Sequence, residues 1–215
     1  MDNYNISERN RVKRIPKRGQ YDKKTVYEIL DAGFLCHVGF AIEGQPYVIP
    51  TAYGRIADTI YIHGASTSRM LLHLQQQHVP ACLTVTHLDG IVAARSTFHS
   101  SMNYRSVVIF GEASLIEGEE KMEALAIITN QILKGRWEEA RLPNQTEMKA
   151  TSVLKIEIEE ASAKVRTGEP KDDEEDYVLP VWAGVIPVYQ TFGKPIADSK
   201  LFPNVDMNES IKIFL

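Results

Sequence analysis

Apolar residues in this chain fall mostly into short runs closed by turn-forming residues, and only three stretches carry helical spacing. Asp22 can cap a first helix over 23–32, with Val26, Ile29 and Leu30 on one face and Gly33 as its stop. The runs 34–42 and 46–53 flank Glu43-Gly44-Gln45 and read as a β-hairpin. Asp58 closes the next turn before a strand over 59–63. Ser66 or Ser68 then starts a second helix running to about His78, with Met70, Leu71 and Leu74 inward. Residues 81–86 and 91–95 flank Leu88-Asp89-Gly90, which predicts a second hairpin, and 104–115 predicts a long strand. Glu119 and Glu120 favour the start of a third helix with Met122, Leu125, Ile128 and Ile132 on its stripe and Gly135 at its end. The alternating run 154–158 reads as the last strand. Six or seven short strands joined by hairpin turns, with a few helices, predict an α+β, mostly β protein built on a small antiparallel barrel.

Composition narrows the class without naming a function. The chain has 215 residues, 44% of them hydrophobic and 24% charged, which suits one domain with a full core. A net charge of −4 gives no general reason to expect nucleic-acid binding. No apolar run reaches the roughly 18 residues that span a membrane, and no secretory signal is legible, so a cytoplasmic protein is expected. Cys36 and Cys82 lie in apolar, strand-like contexts and are expected reduced and buried. Arg9, Arg11, Lys13, Arg14, Lys17 and Arg18 make residues 1–22 a basic arm, read as solvated and lying along the body or a partner subunit. The core domain is expected over 23–168. Residues 169–215 form an extension that begins with the acidic run 172–176, read as a solvated linker, and continues into an apolar tail that must pack on the barrel or a dimer interface.

Two strand mouths carry candidate chemistry. Ser66, Thr67, Ser68 and Arg69 combine hydroxyls, main-chain donors at a helix start and a guanidinium, a set that suits a terminal phosphate or a helix cap without ligand. The polar segment His99, Ser100, Ser101, Asn103, Tyr104, Arg105 and Ser106 runs straight into the apolar residues 107–110, a costly arrangement unless something pairs with it. His63 ends the strand before the first mouth, and Tyr53 ends its neighbour after Pro50-Thr51-Ala52. No Gly-x-Gly-x-x-Gly, Cys-x-x-Cys or His-Glu-x-x-His motif is present, and no metal spacing joins the cysteines to a histidine.

A succession of short motifs runs from Arg18-Gly19-Gln20-Tyr21-Asp22 through Cys36-His37-Val38-Gly39-Phe40, residues 45–51, Tyr61-Ile62-His63-Gly64-Ala65, Ser68-Arg69-Met70 and residues 101–107 to Trp182-Ala183-Gly184-Val185-Ile186-Pro187. In order and spacing it resembles the pyridoxamine 5'-phosphate oxidase-like, FMN-binding split-barrel family, and within it the branch related to nitroimidazole-resistance proteins. That resemblance implies an antiparallel split β-barrel with peripheral helices and a homodimer whose two FMN sites are each lined by both subunits. It places Ser66, Ser68 and Arg69 at the phosphate, Pro50, Thr51, Ala52 and Tyr53 beside the ring, and His63 at the pocket floor. Ser101, Asn103, Tyr104, Arg105 and Ser106 fall near the site and interface, with Trp182 over the ring. Met70 stands where many relatives carry Lys, which leaves the phosphate charge to Arg69 with help from Arg105.

The activity implied is that of an FMN-dependent oxidoreductase, reduced by NAD(P)H and passing electrons to a small electrophile, with His63 or Tyr104 as proton donor. A flavin carrier or sensor is the alternative from another class. A haem-binding or haem-degrading barrel is a third, for which His63 or His99 would supply the axial ligand.

Overall fold

The computed structural model describes residues 2–76 and 79–215. Asp22 caps helix α1 (Lys23–Asp31) by accepting from the Thr25 N–H, and Val26, Ile29 and Leu30 are buried. Gly33 does not end the helix through a left-handed turn. Instead the His87 ring lies so close that a Cβ at 33 would meet Cε1 at 2.9 Å. Strands β2 (Leu35–Ile42) and β3 (Gln45–Ile56) form the predicted hairpin, with Glu43 at φ 50° and Gly44 at φ 82° as its two-residue turn. Strand β4 (Thr59–Ala65) and helix α2 (Arg69–Leu74) follow, with Met70, Leu71 and Leu74 inward. The predicted continuation to His78 runs into residues 77 and 78, outside those described.

The second predicted hairpin does not form. Residues 80–93 make one strand, β5 (Pro80–Ala93), which pairs along its length with β6 (Ser101–Ile116), and Leu88-Asp89-Gly90 is a register shift within it. Composition misleads here because long-range contacts hold the irregularity open. The Arg105 guanidinium grips Asp89 from the partner strand at 2.9 and 3.0 Å.

Helix α3 (Gly118–Ile132) buries Lys121, Ala124, Leu125 and Ile128, so its stripe is rotated from the one expected: Met122 is half-buried and Ile132 exposed. Short helices α4 (Arg136–Glu139) and α5 (Gln145–Ala150) lead into strand β7 (Thr151–Glu157). This is not the last strand, since β8 (Glu160–Arg166) and β9 (Gly184–Pro187) come after it. A final helical turn, α6, spans Glu209–Lys212.

Strands β6-β7-β4-β3-β2-β5 close into an antiparallel ring through the β5–β6 pairing. The fold is therefore mostly β, with a few peripheral helices, as expected. The ring is split in two places. The second edge of β6 is shared, residues 104–110 pairing with β8 and 113–116 with β7. On β3 only residues 53–56 pair with β4, so the second edge of 45–52 carries no strand among the described residues. The β6 crossing demands Gly111, where a Cβ would sit 2.1 Å from the Glu157 carbonyl oxygen.

One apolar core fills the barrel and a smaller one lies under α3. Short strand β1 (Gly19–Gln20) pairs with β8, and β9 pairs with β5, so both terminal segments join the sheet. The acidic run is not a solvated linker throughout. The Asp172 side chain is fully covered and accepts from the Arg95 and Ser96 N–H groups and the Arg95 guanidinium. Both cysteines are free, and burial pushes the Cys36 thiol up to about 12. No helix among the described residues is long and apolar enough to cross a membrane.

Candidate functional site

The expected site residues occupy three separate places on one chain. The first is the split beside β3. Pro50, Thr51 and Ala52 pair with His37, Cys36 and Leu35 on one side and leave the other edge open. Tyr53 differs from its neighbours: it is fully buried and its hydroxyl donates to the Leu30 carbonyl, so it is a core residue. At the nearby turn, the Ser66 N–H already donates to Ala150 and the Ser68 N–H to Ala65, which removes two of the main-chain donors expected for a phosphate. Ser68 is the N-cap of α2 but makes no side-chain cap. Arg69 is exposed, its guanidinium 4.4 Å from the Tyr47 ring centroid.

His63 lies on β4 opposite Val153, which belongs to the core under α3. It lines neither of the two large cavities. Its Nδ1 is buried without a hydrogen-bond partner, and desolvation pushes its pKa down, so the neutral ring is favoured.

The second place is a cleft of about 700 Å³ between the basic arm and β8, with Tyr104 and Ser101 in its wall. Strand register sets Tyr104 beside Arg166 and Ser106 beside Lys164. Asn103 is buried, accepting from the Arg166 guanidinium at 2.5 Å and donating to the Gly168 carbonyl at 3.0 Å. Arg14, Lys17, Arg18, Lys164, Arg166 and Lys171 also line this cleft. Three of the arm's six cations thus border this cleft, Arg14 and Lys17 while still exposed and Arg18 half-buried.

The third place is a cavity of about 920 Å³ bounded by residues 32–35, His37, residues 86–89, Arg105 and the tail segment 188–192. Arg105 is committed to Asp89 there, so its charge is not free for a phosphate. His37 was missed as a site candidate. It is exposed and its imidazole makes no hydrogen bond among the described residues, whereas the His87 ring is held by the Ile29 carbonyl and that of His99 by Asp173. A polar residue at an alternate position of an otherwise apolar strand was its only sequence signal. Trp182 is 66% exposed, its ring against Gly184.

Residues 22–165 match the sequence profile described as pyridoxamine 5'-phosphate oxidase. The chain is 44% identical to the flavocytochrome Anf3 from Azotobacter vinelandii over 97% of both chains, with a TM-score of 0.90. It is 32% identical to an FAD and haem binding protein from Mycobacterium smegmatis over 92% of this chain and 97% of that one, with a TM-score of 0.88. A structure assigned to 5-nitroimidazole antibiotic resistance in Bacteroides thetaiotaomicron is 26% identical, with a TM-score of 0.57 over 68% of this chain and 86% of that one. No curated protein matches the sequence.

Proposed function

The chain belongs to the pyridoxamine 5'-phosphate oxidase family, and from that premise we propose that it is a flavin-dependent oxidoreductase acting on a small electrophile. The observation that carries this reading is the 44% identity, end to end, with a protein named a flavocytochrome. A bound flavin supplies the electron chemistry. The chain's own features fit such a group. The open edge of β3 at 50–52 offers main-chain contacts to a flat ring, and exposed Arg69 offers charge to a phosphate beside it. Of the two proton carriers, His63 is the nearer to that edge, one residue past the last β3–β4 pair, Tyr53 with Ile62, whereas Tyr104 lines the separate basic cleft.

Haem as a second cofactor is the further reading, favoured by the names of both more similar relatives. Here the structure offers His37 at the larger cavity, with an unengaged imidazole and the exposed apolar side chains of Leu35 and Phe192 around it. His99, tied to Asp173, and His63, outside both cavities, are weaker candidates.

The split residues of the site favour a homodimer, in which a second copy would complete each flavin pocket. Leu35, Val48 and Ile186 leave half or more of their surfaces uncovered on β2, β3 and β9.

The absorption spectrum of freshly purified protein tests the reading, followed by chromatography of the extracted flavin to tell FMN from FAD. Flavin bands are expected, with a Soret band if haem is also held. A colourless protein that takes up neither added FMN nor FAD would sink the assignment. Light scattering should give about twice the 24.2 kDa chain mass.

A further inference from the structure

Six cations line the cleft between the arm and β8, against one lining carboxylate, Glu169, in a protein whose net charge is −4. None of the six has a carboxylate oxygen within 4.0 Å among the described residues, although other cations of the same arm do. Arg166 is the most telling. It is only 8% exposed, yet the one hydrogen bond its guanidinium makes among the described residues goes to the neutral Asn103 amide. A buried guanidinium without a counter-charge is costly, and the neighbouring Arg18 adds repulsion that weakens its hold on its proton. Such a group is balanced when an anion enters. Beside it, Phe98 is 86% exposed and Met102 50%, and the Tyr104 ring completes an aromatic wall. One phosphate would engage two or three of these cations. Six of them next to an exposed aromatic match a ligand with more charge and a flat ring.

We propose that this cleft binds a nucleotide diphosphate, with the diphosphate on Arg18, Lys164 and Arg166 and the base on Phe98. It lies apart from the Arg69 turn and does not depend on that turn holding a flavin. The diphosphate has two chemical sources, the ADP half of FAD or a separate nicotinamide dinucleotide.

Calorimetric titration of the protein as purified, with ADP and then NADPH as probes, tests this, while the flavin band is followed in the same samples. Binding is expected, weakening as salt is raised. Stoichiometric uptake beside retained flavin identifies a separate dinucleotide. Displacement of a flavin that extracts as FAD identifies the cofactor's own ADP half. Arg166→Gln should weaken ADP by about tenfold or more, and so should the double variant Lys17→Gln/Arg18→Gln, which lies on the arm and guards against misfolding of the first. If ADP and NADPH neither bind nor displace flavin, or if both variants keep wild-type affinity, the proposal fails. Absence of flavin in the same spectra would instead count against the proposed function alone.

Discussion

The two halves of the N-terminal arm treat their charges in opposite ways. Between residues 2 and 9 the charged groups are matched. Tyr4 donates to Asp58 at 2.5 Å, where Tyr27 and Lys23 converge at 2.6 Å, and Arg9 pairs with Glu159 and Glu160 at 3.0 and 3.1 Å. Between residues 14 and 18, Arg14, Lys17 and Arg18 meet no carboxylate among the described residues and line a cleft together with Arg166. A satisfied network fastens the arm to the barrel. An unsatisfied one, held in place by the first, is a surface prepared for an anion. Arg105 and Arg166 repeat the contrast on adjacent strands, the first clamped on a carboxylate and the second on an amide.

Breaking the satisfied half should have the largest effect. Asp58→Ala strips three donors of their common acceptor, and a loss of about 2–3 kcal/mol is expected after discounting for partial exposure. Thermal melts and limited proteolysis of the arm would measure it, and ADP affinity should fall with it if the lock positions the cleft. Acid should imitate the substitution. Burial pushes the Asp58 carboxyl up, but bonds from Lys23, Tyr27 and Tyr4 outweigh this and hold it below its ordinary value. A carboxylate lowered in the fold contributes stability that is complete above its unfolded pKa, near 3.9, and is lost as pH falls through the folded value. Wild type should therefore lose arm protection below about pH 4, and Asp58→Asn should show less of that pH dependence. Identical acid profiles would remove Asp58 as the lock.

The paired and unpaired arginines should differ in sign. Arg105→Leu leaves Asp89 without its partner at the β5 irregularity and should cost about 1–2 kcal/mol. Arg166→Leu removes a buried charge that no carboxylate balances, while Asn103 keeps its bond to Gly168, so stability should hold or rise by up to about 1 kcal/mol. Denaturant titrations of the two variants compare them directly. A loss for Arg166→Leu equal to that of Arg105→Leu would make Arg166 an ordinary structural residue.

What the sequence could reveal follows the range of the forces involved. The Asp22 cap and the Glu43-Gly44 turn act within four residues, and both were legible. The β5 irregularity carries turn composition but exists because Arg105 and strand β9 hold it, and neither is visible locally; a Cβ at Gly90 would lie 3.2 Å from the Ile186 carbonyl oxygen. Asp172 looks like its acidic neighbours and is singled out only by Arg95 and Ser96, some 76 positions earlier. The same holds for function. The Ser66–Arg69 turn is contiguous and could be read as a phosphate mouth, whereas the basic cleft is assembled from residues 14–18, 98–104 and 164–171. The cluster in the arm was its only local trace, and charge pattern alone does not separate a solvated arm from one wall of a cavity.

The smallest expected effect concerns His63, which tests how far an unpartnered polar group signals a ligand. Like Arg166 it is short of partners, with Nδ1 buried and unpaired among the described residues, but it lines neither of the two cavities described above. Desolvation lowers its pKa in the fold, so below the unfolded value near 6.5 the unfolded chain binds more protons and the native state loses stability as pH falls. His63→Phe removes both the orphan nitrogen and this proton uptake at similar bulk. The difference in melting temperature between wild type and variant should therefore widen from pH 7 to pH 5 in the variant's favour, by an amount corresponding to less than about 1 kcal/mol. Flavin content should be unchanged. If the variant instead loses flavin with its fold intact, His63 reaches the cofactor from outside both of these cavities, and an unsatisfied polar atom marks a ligand site in this barrel.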